Sequence, residues 1–178
     1  MIDLTEKGLP NVVTINGSPY SIYTDFRLWM RFEIELGRLK KEQRMDVSYL
    51  FKNEMPSHCN FNELLVFSRP KSELPRQWKS SDTIVLDYEL DGDYIYSAFL
   101  GQYGIDLVEV EELHWHKFLA LLKGLRDSEK MSQIMSYRCY ERSEEKKDIY
   151  EELRYAWRIE RITEEEQEEI EKFSNMFA

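Results

Sequence analysis

The chain has little of what chemistry needs. Its 178 residues include three histidines and two cysteines, Cys59 and Cys139, and seven glycines. Neither C-x-x-C nor H-x-x-x-H, the pairings a zinc site uses, occurs. No Walker loop, G-x-G-x-x-G or G-x-S-x-G is present, so phosphate cradles and nucleophile elbows have no sequence basis. Bases are outnumbered, 24 against 34 carboxylates, for a formal charge of −10. Such a surface repels phosphate backbones and argues against nucleic acid as a partner. Apolar runs are short, the longest being Leu64 to Phe67 and Phe118 to Leu122. A bilayer span needs about 20 residues, so no membrane role is expected. The opening MIDLTEKGLP lacks the apolar stretch of a secretory signal. A soluble, intracellular chain with two reduced cysteines is the simplest reading.

What is there is a core and a great deal of charge. Apolar residues make up 42%, aromatics 13% and charged residues 33%. With neither internal repeat nor Gly/Ser-rich linker, one domain with a helical extension is expected. Val12 to Thr24 carries β-branched and aromatic residues around Asn16-Gly17-Ser18-Pro19, which predicts a hairpin over 12–24 with a loop of about four residues. Thr24 is the expected N-cap of a helix starting at Asp25, with Phe26, Trp29, Met30, Phe32 and Leu36 on its apolar face. Asp46 is expected to cap a short helix through Met55, and Asn60 to Ser68 to form another before Pro70.

Residues 69–82 read as an exposed loop; Thr83 to Glu89 fits an extended segment or a helical turn equally well. Asp91 to Tyr103 reads as a helix closed by Gly104 at its C-terminal cap. Asp106 with Glu109 resembles a capping box and predicts a helix to about Lys123. Ser128 is placed to cap a further helix to about Tyr140, followed by a charged helix from Glu144 to Arg161. Thr163 and Glu166 form another capping box and open a terminal helix.

Two features invite a metal. Leu113 to Leu122, LHWHKFLALL, sets His114 and His116 around Trp115. On a helix advancing about 100° per residue these imidazoles lie about 160° apart, so they cannot chelate one ion. His114 falls among the apolar residues and reads as a semi-buried histidine satisfied by a nearby acceptor. His116 falls beside Glu109, Glu112 and Lys123 and reads as solvated. The second feature is Asp87 to Asp93, spaced like a calcium loop, but Ala98 stands where the bidentate Glu should be. An acidic helix N-terminus accounts for it better. No catalytic, cofactor or metal residue is assigned, and the chain is read as no enzyme; a metalloenzyme using His114 or His116 is the outlying alternative.

The C-terminal stretch from Glu141 to Glu171 holds thirteen acids against six bases. Ile149, Tyr150, Leu153, Ala156 and Trp157 form an aromatic seam on an amphipathic helix. Ile170, Phe173 and Phe177 form a narrow stripe on the last one. Either stripe serves to dock on the chain's own core or to bind a partner helix, and Ile170, Phe173 and Phe177 are the candidate partner-binding residues.

LPNVVTINGSPYSIYTDFRLWMRFE, DYIYSAFLGQYGIDL, LHWHKFLALLKGL and IMSYR follow one another in order. They resemble the bacteriophage "gene product fifteen" family of tailed phages and prophages of Gram-positive bacteria, over roughly residues 9–138. The motif positions are Tyr20, Asp25, Phe26, Arg27, Trp29, Tyr103, Asp106, His114, Trp115, Phe118 and Arg138, and the resemblance implies structural roles for them. It also implies genes lying between the major tail protein and the tape measure protein. That position belongs to tail assembly chaperones, which keep the helical tape measure soluble in the host cytoplasm and help recruit tail-tube protein. The expectation is therefore a mainly α-helical domain over 1–142 with an N-terminal hairpin, and an acidic helical extension over 143–178. Its expected function is that of a non-enzymatic tail assembly chaperone binding the tape measure protein and also the tail-tube protein. No cofactor is called for, and a homo-oligomer is compatible with this reading. The alternative is a minor structural or tail-completion protein retained in the virion.

Overall fold

The computed structural model describes residues 2–39, 43–57, 59, 61–70, 83–140 and 149–160. They form a two-stranded antiparallel hairpin and six α-helices, and helix accounts for 47% of them. The chain divides into two compact units, Met1–Lys79 with Leu86–Gln133, and Ser80–Val85 with Ile134–Ala178.

The first unit opens on the expected hairpin, β1 (Val12–Ile15) and β2 (Ser18–Ser21). The loop is tighter than expected. Asn16 and Gly17 alone turn the chain, both at positive φ (50° and 80°), as a two-residue hairpin with right-handed strand twist requires. Val13 and Ile15 face inward and are buried.

Helix α1 (Phe26–Arg38) buries Phe26, Trp29 and Phe32. Its N-cap is Asp25 rather than Thr24, because the Asp25 carboxylate accepts from Arg27 N–H while the Thr24 carbonyl accepts from Trp115 N–H. The helix expected from Asp46 to Met55 is reduced to a 3-10 turn, Ser48–Leu50. The reason is tertiary. Tyr23 N–H donates to Leu50 O and Lys52 N–H to Ser21 O, which holds this backbone along the edge of β2. The N-cap position is Val47 rather than Asp46, whose carboxylate still accepts from Ser48 N–H.

Helix α2 is Phe61–Ser68 and helix α3 is Gly92–Tyr103. Residues 83–87 take no regular structure, and a turn at 88–91 leads into α3. Gly104 closes α3 in the left-handed conformation (φ 65°), donating to Leu100 O, as the sequence indicated.

The helix expected from Asp106 does not form there. Residues 107–109 make one turn, and helix α4 begins only at Trp115 and ends at Lys123. Trp29, Trp115, Phe32, Phe99 and Phe118 are the largest fully buried side chains of this unit. Phe118 is the hub, stacked on Phe26 (5.1 Å between centroids), Phe99 (5.0 Å) and Trp115 (5.5 Å).

Helix α5 (Lys130–Arg138) carries the chain into the second unit. There Arg138 is buried, its guanidinium donating to Trp157 O (2.7 Å) and Val85 O (3.1 Å). Helix α6 (Ile149–Trp157) is the described part of the expected charged helix, and none of its residues is buried. Tyr150 stacks on Tyr140 at 5.4 Å. The candidate partner residues Ile170, Phe173 and Phe177, and the capping box at Thr163, lie outside the described residues, as does His58. Both cysteines are free thiols. Among the described residues no helix is long and apolar enough to cross a membrane.

Candidate functional site

Ten of the eleven motif residues lie in the first unit, and most meet at one junction where two helices start side by side. Asp25 caps α1 and His114 caps α4, each with φ −60° and ψ 135°. The two caps form an isolated antiparallel bridge. Phe26 N–H donates to Leu113 O at 2.8 Å, and Trp115 N–H to Thr24 O at 2.7 Å. Each cap thus accepts a helix N–H through its side chain, and backbone bonds across the bridge join the two helix starts.

The Asp25 carboxylate is shared. One oxygen accepts from Arg27 N–H at 3.0 Å, the other from Leu113 N–H at 3.3 Å. The Arg27 guanidinium pairs with Asp25 at 3.2 Å. Its far nitrogen donates to Leu107 O (3.0 Å) and Val110 O (2.7 Å). Asp106 shapes the same loop from within, accepting from Val108 N–H and Glu109 N–H, and Tyr96 donates its hydroxyl to the second oxygen. The Val108 N–H, with the Glu109 N–H and the Tyr96 hydroxyl, holds the Asp106 carboxyl below the usual carboxylate range against a smaller effect of burial. The Asp106–Glu109 pattern is therefore a real cap geometry spent on a loop, which Arg27 then ties to α1.

The two histidines behave differently from expectation. His114 precedes the helix and uses Nδ1 to accept from His116 N–H at 3.0 Å. That fixes the proton on Nε2, which donates to Pro10 O at 2.9 Å. His116 is not solvated: it is 6% exposed, and its Nε2 donates to Phe67 O at 2.8 Å. Its ring stacks on Phe67 with centroids 4.5 Å apart. The wheel misplaced it because a helix starting at Trp115 turns His116 toward the C-terminal carbonyls of α2, a long-range neighbour that local periodicity cannot see. The imidazoles lie close, with centroids 5.3 Å apart, rather than on opposite faces. Burial lowers both pKa values, more than their carbonyl partners raise them.

Trp115, Trp29, Tyr103 and Tyr20 are tied into the same unit, whereas Arg138 lies in the second. Trp115 Nε1–H donates to Ser68 O and Trp29 Nε1–H to Tyr23 O, both at 2.8 Å. The Tyr103 hydroxyl donates to Leu121 O, and Tyr20 meets Phe51 edge-on. Glu33 draws Arg69 (2.6 Å) and the Ser68 hydroxyl onto α1. No group of three or more potential metal ligands occurs among the described residues. Asp87, first residue of the calcium-like spacing, instead accepts from Glu89 N–H and Leu90 N–H. Sequence reasoning passed over Glu33 and Glu63 and set His116 on the solvated face; the i, i+3 spacing of Glu33 from Met30 and Leu36 is the one signal that would have placed it beside the apolar face.

A family model described as "Bacteriophage Gp15 protein" matches residues 5–160. No curated protein and no solved structure matches the chain.

Proposed function

This chain belongs to the bacteriophage Gp15 family, and from that premise we propose that it is a structural or tail-related phage protein acting as a non-enzymatic tail assembly chaperone. In this reading it is a mainly α-helical protein that works in the host cytoplasm and binds the helical tape measure protein before the tube polymerises around it. We take the domain to run to about residue 142 with the acidic extension beyond it, while the family match itself reaches residue 160.

The observation that carries the reading is helix α6. It is amphipathic, yet Ile149 is 73% exposed and Tyr150 49% exposed, with no buried residue in the helix. A seam left largely exposed among the described residues, with Leu153 and Trp157 only partly covered, is what a helix-binding protein presents to an amphipathic partner. The formal charge of −10 would keep such a complex dispersed. Many copies along one tape measure would gain avidity.

The test is co-expression with the tape measure gene of the same phage. A gain in tape measure solubility with co-purification supports the chaperone role, and the absence of both effects refutes it. Mass spectrometry of purified particles checks the rival role of a minor tail-completion protein. A stoichiometric amount in mature virions would favour that rival.

A further inference from the structure

The hairpin has one open edge. Ile22 N–H donates to Asn11 O at 3.0 Å, and Val13 faces Tyr20 and Ile15 faces Ser18. The alternation of an antiparallel ladder then turns the N–H and C=O groups of Val13 and Ile15 toward β2, and those of Val12 and Thr14 away from it. The outer edge of β2 is taken by Leu50 and Lys52. No described residue bonds to Val12 or Thr14 on the open side of β1.

That edge borders a groove of about 770 Å³ whose opposite wall is α2, with Val66 and Phe67, and whose lining includes Glu63 and His116. Both of those residues bring a buried acceptor without a partner. His116 donates from Nε2 to Phe67 O, so its Nδ1 keeps a lone pair. That Nδ1 and the Glu63 Oε2 are buried and make no hydrogen bond. Buried acceptors are ordinarily paired. The cation on the same wall, Arg69, is held by Glu33.

We propose that this groove binds an extended peptide strand of a partner protein, which adds to β1 through Val12 and Thr14 and lays a lysine or arginine side chain against Glu63 and His116. The open edge selects an extended backbone, since its donors and acceptors recur every second residue. The two acceptors select a donor-bearing cation over an acid, in keeping with the acidic chain. Val66, 70% exposed, and Phe67 contact the apolar parts of the incoming strand. The proposal does not depend on the assembly role.

The test uses the full chain, ¹⁵N-labelled, titrated with acetyl-Thr-Val-Lys-Val-Thr-amide. Saturable shifts at the Val12 and Thr14 amides and at the His116 ring are expected. Replacing the central lysine by norleucine should weaken binding about tenfold, the loss of one charge-assisted hydrogen bond. Thr14→Pro removes the outward N–H while Val13 and Ile15 keep the ladder, and should abolish binding. Glu63→Gln keeps the side-chain size and should bring the lysine peptide near the norleucine one. The proposal is overturned by an absence of saturable shifts at millimolar peptide, or by equal binding of the two peptides. It is equally overturned if n-butylammonium shifts Glu63 and His116 while no peptide touches Val12 or Thr14. A dimer that Thr14→Pro dissolves would assign the edge to a second copy instead.

Discussion

His114 gives the sharpest handle on the junction, because its two nitrogens do separable work. Nδ1 caps α4 through His116 N–H, and Nε2 donates to Pro10 O, tying the chain before β1 to the same point. Removing a cap costs about 1 kcal/mol. Removing the exposed hydrogen bond to the Pro10 carbonyl costs up to about another 1 kcal/mol. His114→Ala should therefore destabilise by about 2–3 kcal/mol once lost ring packing against Phe67 is included. His114→Asn restores a good cap but cannot reach Pro10, and should cost only about 1 kcal/mol. With a urea m-value of about 2 kcal/mol/M, the alanine variant's midpoint falls by about 1 M and the asparagine variant's by about half that. Urea titration followed by circular dichroism reads both. If asparagine is as damaging as alanine, or if neither moves the midpoint, the capping role is wrong.

Further consequences follow from the same contacts. Burial lowers the His116 and His114 pKa values below 6.5, so the unfolded chain binds more protons there; stability should hold above that pH and fall as pH drops below it, and His116→Gln should flatten that slope in thermal melts between pH 5 and 8. Arg27→Lys keeps the charge but loses the fork that meets Asp25 through one nitrogen and Leu107 and Val110 through the other, and should cost about 1–3 kcal/mol and speed amide exchange across residues 106–113. Gly104→Ala puts a side chain at φ 65° and should cost about 1 kcal/mol, read as a lower melting temperature.

Elements whose signal is local were legible in the sequence. Asn16-Gly17 marked the hairpin and Gly104 the end of α3, because each answers to its own dihedral angles. What misled was local chemistry with a distant use. Asp106 has the geometry of a helix cap, but the loop it shapes is held open by Arg27, 79 positions earlier in the chain. The stretch after Asp46 has helical pattern, but its backbone is committed to the edge of β2. Histidine is not a residue one seeks at an N-cap, so the start of α4 was set eight residues early and His116 was turned to the wrong side. Asp25, Arg27, Asp106 and His114 are marked only by the resemblance to the family. That Asp25 and His114 meet across one bridge needed the fold.

The reading of α6 as a partner surface is tested most directly by the fate of the tape measure protein. Co-expressed with the wild-type chain, it should stay in the supernatant after centrifugation and co-purify. With the double variant Ile149→Glu, Leu153→Glu, which spoils the seam of a helix with no fully buried residue, it should pellet while the variant itself stays folded. A tape measure protein that is equally soluble with the variant, or equally insoluble with both, would contradict the account.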